Sequence, residues 1–147
     1  MQADKRFKGI PRPYHEAKRL GVIDVHVREL VDAMYQTGFI TKASCQGHGF
    51  LQMHSEPYIA FTTETNNASV LNMILESDSI SKNRQLHYYW VVQGRFNEHG
   101  DLVFILTLGC ERPRSLWWCV RRRLRQDFLT LTDMVKVLGQ GRNHSIL

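Results

Sequence analysis

The 147-residue sequence has few cysteines: Cys45, Cys110 and Cys119, an odd count at irregular spacing. That is no disulfide framework, so a reducing cytoplasm is the expected setting. No apolar run reaches the roughly 18 residues that a membrane-spanning helix needs. The opening stretch MQADKRFKGIPRPYHEAKRLG is basic but lacks the apolar centre of a secretory signal, so export is not expected. Internal repeats and low-complexity segments are missing too. Acidic side chains are the minority charge, 14 against 19 lysines and arginines.

What is present suits one domain. Hydrophobic residues make up 43% and aromatics 10%, enough for a packed core. The net charge of +5 favours acidic partners, nucleic acid first. The charge is unevenly spread. Lys5, Arg6, Lys8, Arg12, Lys18 and Arg19 crowd the start, and Arg112, Arg114, Arg121, Arg122, Arg123 and Arg125 crowd a second stretch.

Residues 1–21 read as a basic N-terminal arm, since Pro11 and Pro13 oppose regular structure. Residues 22–147 read as a single α+β domain. In DVHVRELVDAMYQTG, the residues Val27, Leu30, Val31, Met34 and Tyr35 form one helical stripe, with Asp24 as N-cap and Gly38 as terminator. FITKASC and PYIAFTT read as strands of an antiparallel hairpin. A second helix runs from a cap at Asn66 or Asn67 through Ser77. QLHYYWVVQGRF and LVFILTLGC are further strands, joined by the NEHGD turn. The near-continuous apolar run of the last one predicts a central strand covered on both faces. RSLWWCVRRRLRQDFLTLTDMVKVLG reads as helix, with Thr132 capping a short last helix that ends at Gly139. The order α-β-β-α-β-β-α predicts helices packed on an antiparallel four-stranded sheet.

The stretch TKASCQGHGF carries the densest chemistry. Several readings fit its loop. Cys45 and His48 have a C-x-x-H spacing that could hold a metal with His26, His54 or His87, but no second such element exists. Cys45 and His48 could also form a thiolate–imidazolium pair. Gly47 and Gly49 could turn backbone amides towards a phosphate or nucleotide, with Ser44, Gln46 and His48 adding side-chain contacts. Finally, the glycines could serve hairpin geometry alone, with Cys45 as a small buried residue.

A helix, a strand ending in T-x-A-S-C-x-G-H-G, then PYIAF, a helix and a hairpin resembles the wybutosine-synthesizing tRNA methyltransferase family over residues 25–108. The shared motif is Ser44, Cys45 and Gly47. This chain has Ala43 where that family has serine and His48 where it has arginine. The resemblance implies a related fold and a functional loop at Ser44–His48 near RNA. It does not by itself make the chain a methyltransferase.

In the last third, Arg114, Arg121 and Arg125 lie near one helical face, flanked by Arg122 and opposite Trp117, Val120, Leu124 and Phe128. Arginine forks match phosphate geometry, although a solvated helix face has the same pattern. Tyr88, Tyr89 and Trp90 alternate faces if they are in a strand. One set packs under helices, and the other is open to stack bases or to pack across strands. His87, on the same strand face as Tyr89, could approach the Ser44–Gly49 loop if that hairpin neighbours the strand of residues 85–93.

The favoured expectation is a small binding protein that acts on nucleic acid or a nucleoprotein. Arg12, Lys18, Arg19, Arg114, Arg121, Arg122 and Arg125 would contact phosphate. Ser44, Cys45, Gln46, Gly47, His48 and Gly49 would form a ligand or recognition loop, with a nucleotide as one candidate ligand. One alternative is an enzyme on a nucleotide or RNA that uses Cys45 and His48 with a metal or S-adenosylmethionine. Another is an inhibitor of a host nucleoprotein complex, of the phage or plasmid type.

Overall fold

The computed structural model describes residues 14–21, 23–45, 57–109 and 117–144, without the side chains of residues 45, 117–121 and 142–144. In chain order the elements are α1 (Tyr14–Leu20), α2 (Arg28–Gln36), β1 (Ile40–Cys45), β2 (Tyr58–Thr62), α3 (Thr65–Ile80), β3 (Trp90–Phe96), β4 (Leu102–Leu108) and α4 (Trp117–His144). The strands form one antiparallel sheet in the order β1-β2-β4-β3. From α2 onwards this is the expected α-β-β-α-β-β-α fold. Part of the segment read as an arm is helical: α1 docks on the domain through buried Tyr14.

Helix α2 buries the expected stripe, Val27, Leu30, Val31 and Met34. It starts later than the sequence suggests. Val27 occupies the cap position, without a side-chain cap bond, while Asp24 accepts the Val27 N–H through its backbone carbonyl. At the other end Gly38 takes φ 92°, and the Phe39 N–H reaches back to the Met34 carbonyl at 2.8 Å. This closure uses a left-handed residue to satisfy the last carbonyls. Helix α3 also differs at its start. Its cap position is Glu64, and the Asn67 side-chain amide bonds instead to the Thr63 hydroxyl at 3.3 Å.

Side chains alternate along β2 and β4. Ile59, Phe61, Phe104, Leu106 and Leu108 are buried, whereas Tyr58, Ala60, Thr62, Val103, Ile105 and Thr107 are only half-buried. β4 is central, as its apolar run predicts, but among the described residues helices cover one of its faces only. The correction has a simple cause. An apolar run cannot distinguish burial on two faces from a face of Val, Ile and Thr left half open.

The covered face is the core. Phe39 meets Phe61 at 5.5 Å between ring centroids, Phe61 meets Phe104 at 5.9 Å, and Trp90 meets Phe128 at 5.8 Å. Leu71, Leu106, Leu131 and Val135 are fully enclosed between sheet and helices. Each such side chain contributes about 1.5–3 kcal/mol.

Helix α4 is longer than expected and unbroken from Trp117 to His144. Thr132 is no cap: it lies buried inside the helix, where its hydroxyl donates to the Phe128 carbonyl at 2.7 Å. Gly139 is no terminator either. A Cβ there would stand 2.4 Å from Thr37 Cγ2, so this glycine lets α4 approach the C-terminal end of α2 closely.

Candidate nucleic-acid interface

The first half of α4 is strongly basic, and Asp127 is the one acid within it. Leu124, Asp127, Phe128 and Leu131 share the inward side of the helix, so this carboxylate is carried into the core, where it is 0% exposed. There it meets residues 87–90, which precede β3 or begin it. The backbone of residues 87 and 88 lies outside the strand ladder, and its amides need acceptors. Asp127 supplies them. It accepts from the His87 N–H at 2.7 Å, the Tyr88 N–H at 3.0 Å and the Trp90 indole Nε1–H at 2.9 Å. Burial pushes its carboxyl pKa up, and the N–H donors oppose that shift.

The clamp lays the lead-in to β3 against α4. The His87 Nε2 pairs with Gln126 Oε1 at 2.7 Å. His87 therefore precedes the strand in which the sequence places it, and residues 46–49 of the loop it could approach lie outside the described residues. His87 meets α4 at Gln126, the residue after Arg125 and about one helical turn beyond Arg122 and Arg123. Those three arginines are exposed. So are Lys82 and Arg84, a few residues upstream of His87 on the same connection. A second acid at that connection, Asp78, is occupied by the Gln85 and Leu86 N–H groups at 2.8 and 3.2 Å. The result is a set of exposed cations around a segment whose nearby acids are bound to N–H groups.

Lys18 and Arg19, also exposed, belong to α1. Here the aromatic residues organise the corner. Tyr14 stacks on Tyr35 with centroids 4.0 Å apart, and its hydroxyl donates to Asp32 Oδ1. Lys18 Nζ donates to the Tyr14 hydroxyl at 3.2 Å and lies 3.8 Å from Asp32. The Tyr35 hydroxyl meets His15 Nε2 at 2.7 Å. Burial, and then the bond to Asp32, raise the Tyr14 pKa above its ordinary value. A raised folded-state pKa means that this docking is intact below the unfolded tyrosine value, about 10, and is lost as pH rises through the folded value. An alkaline titration should therefore release α1, with a tyrosinate absorbance step that Tyr14→Phe removes. A step that persists in Tyr14→Phe would assign the titration to another tyrosine.

Of the loop residues, Ser44 is half-buried in β1 opposite Ile59, and Cys45 ends the strand opposite Tyr58. Gln46, Gly47, His48 and Gly49 lie outside the described residues, as do Arg12 and Arg114. Arg121 is in the first turns of α4. Among the described residues no group of three or more His, Cys, Asp and Glu side chains is placed to hold a metal, and no helix is long and apolar enough to cross a membrane.

Sequence reasoning missed Asp127, Lys82 and Arg84, and counted Arg123 in the basic cluster without choosing it as a contact. The available signal was the isolated acid in RRRLRQDFL, which falls on the apolar side of the helix rather than the arginine side. Compared with protein-family models, with curated proteins and with solved structures, the chain matches none.

Proposed function

We propose that this protein binds nucleic acid, or a nucleoprotein through its nucleic acid, by phosphate contacts from the first half of α4 and the adjoining 81–89 connection. Arg122, Arg123 and Arg125 are the principal contacts, with Lys82, Arg84 and His87 beside them and the Ser44–Gly49 loop as a recognition element. The observation that carries the reading is the Asp127 clamp. It turns an acid inward and sets a second basic segment beside an arginine-rich helix face. Guanidinium groups so exposed keep their forks available for bidentate phosphate bonding.

The test is a salt titration of binding to labelled oligonucleotides. Each neutralised phosphate contributes a slope of about −0.9 for duplex and −0.7 for single strands in log affinity against log salt. The double variant Arg122→Glu, Arg125→Glu should weaken binding by more than about tenfold and flatten the slope by about two contacts, with an unchanged melting temperature. Binding that ignores salt, or that survives this charge reversal, refutes the reading.

A further inference from the structure

The face of the sheet turned away from the described helices has a composition suited neither to a core nor to bulk solvent. Register sets its side chains in rows. Val91 and Tyr58 flank Thr107 in one row, Gln93, Ile105, Ala60 and Ala43 form the next, and Arg95 stands opposite Val103. The four strands contain two charged residues, Lys42 and Arg95, both cationic, and no acid.

Two aromatic rings belong to this face. Tyr58 is on it because Ile59 and Phe61 point into the core. Tyr89 is on it because Tyr88 and Trp90, its neighbours, are buried on the helix side. The Tyr89 ring lies across Gly109: a Cβ there would stand 2.5 Å from the ring and 2.8 Å from Val91 Cγ1. The backbone bond from the Gly109 N–H to the Tyr89 carbonyl, 2.8 Å, holds that placement. Two half-buried tyrosines therefore flank a low floor formed by Thr107, Ala60 and Gly109, with the exposed Gln93 and Arg95 further along the same edge strand.

We infer that this face, which the described helices leave uncovered, takes the bases of a single-stranded nucleic acid, with Tyr58 and Tyr89 as stacking platforms, the Gln93 amide on a base edge and Arg95 on a phosphate. A helical duplex hides its base faces, whereas an unpaired strand presents them to aromatic side chains. Charge and ring chemistry together favour a nucleic acid: both charged side chains of the strands are cationic, which suits phosphates, and the two tyrosine rings on this face suit flat bases. Continuity supports it as well. The lead-in to β3 carries His87 beside the α4 arginines and then Tyr89 on the open face, so one strand of nucleic acid can pass over the β3 edge from one surface to the other. The inference rests on the proposed function, and narrows its ligand to single strands.

The experiment compares a labelled oligopyrimidine single strand with a duplex of equal length, by anisotropy across a salt series. The single strand should bind more tightly. Tyr58→Ala and Tyr89→Ala should each weaken its binding by about 5- to 150-fold without changing the salt slope. The phenylalanine variants at both positions should bind like wild type. Arg95→Gln should flatten the slope by about 0.7. If the alanine variants do not fold, the exposed Gln93→Ala and Arg95→Gln carry the test. Full-strength binding by folded alanine variants, or by Gln93→Ala together with Arg95→Gln, overturns the inference. In that case weakened binding by the Arg122, Arg125 double variant still upholds the phosphate-binding reading. No binding of either probe defeats both. A sedimenting dimer that Tyr58→Ala dissociates, with no oligonucleotide bound, overturns it in favour of a second copy of this chain.

Discussion

Asp127→Ala should lower the free energy of unfolding by about 3–5 kcal/mol, a large part of the 5–15 kcal/mol typical of a domain. The carboxylate satisfies the N–H groups of His87 and Tyr88 and the indole of Trp90. Tyr88 and Trp90 are each only 2% exposed, so water cannot replace the lost acceptor at either. A stranded buried donor costs about 1–3 kcal/mol, and the truncation strands two of them in the core. Denaturant unfolding measures the loss. A change below about 1 kcal/mol would mean that the 87–90 segment finds other partners.

The same residue sets a pH dependence. Burial raises the Asp127 pKa in the folded protein above its unfolded value of about 3.9. The folded state then binds more protons than the unfolded state between those values. The sign follows: this group favours folding below the unfolded value, and that contribution is lost as pH rises through the folded value. The stability of wild type relative to Asp127→Asn should therefore fall with rising pH across that window and be flat above it. A difference that rises with pH there would show the N–H donors outweighing desolvation.

Gly139→Ala should also destabilise, by about 1–3 kcal/mol, although alanine is the better helix former by about 1 kcal/mol. The added methyl would meet Thr37 Cγ2 at 2.4 Å and Cβ at 3.2 Å. Thr37 cannot easily rotate away, because its hydroxyl donates to the Ala33 and Met34 carbonyls at 2.8 and 3.1 Å. Thr37→Ser removes the obstructing methyl and keeps the hydroxyl. In that background Gly139→Ala should turn neutral or stabilising, because helix propensity then acts with little steric opposition. Thermal melts of the double-mutant cycle give the coupling directly. Equal losses in both backgrounds would place the clash elsewhere.

Local chemistry was legible wherever it stayed local. The α2 stripe from Val27 to Met34, the Gly38 terminator, the hairpin of β1 and β2 and the centrality of β4 all follow from periodicity and turn residues close in sequence. Element boundaries were less legible. Asp24 and Asn66 have good capping side chains, but the chain enters α2 and α3 at Val27 and Glu64. Gly139 carries the sign of a helix end, yet the helix continues through it to leave room for Thr37, which lies far away in the chain.

The candidate interface divides the same way. The arginines of α4 and their placement opposite Leu124 and Phe128 are properties of a repeating helix, so sequence alone determined them, together with the α+β class and the alternation that gives the sheet two unlike faces. What joins His87 to Gln126, directs Asp127 inward and lays Tyr89 over Gly109 was decided by tertiary structure. Those contacts pair residues that only the closing of the core brings together, and two of the three donors to Asp127 are backbone amides, which every residue but proline carries and no sequence pattern marks.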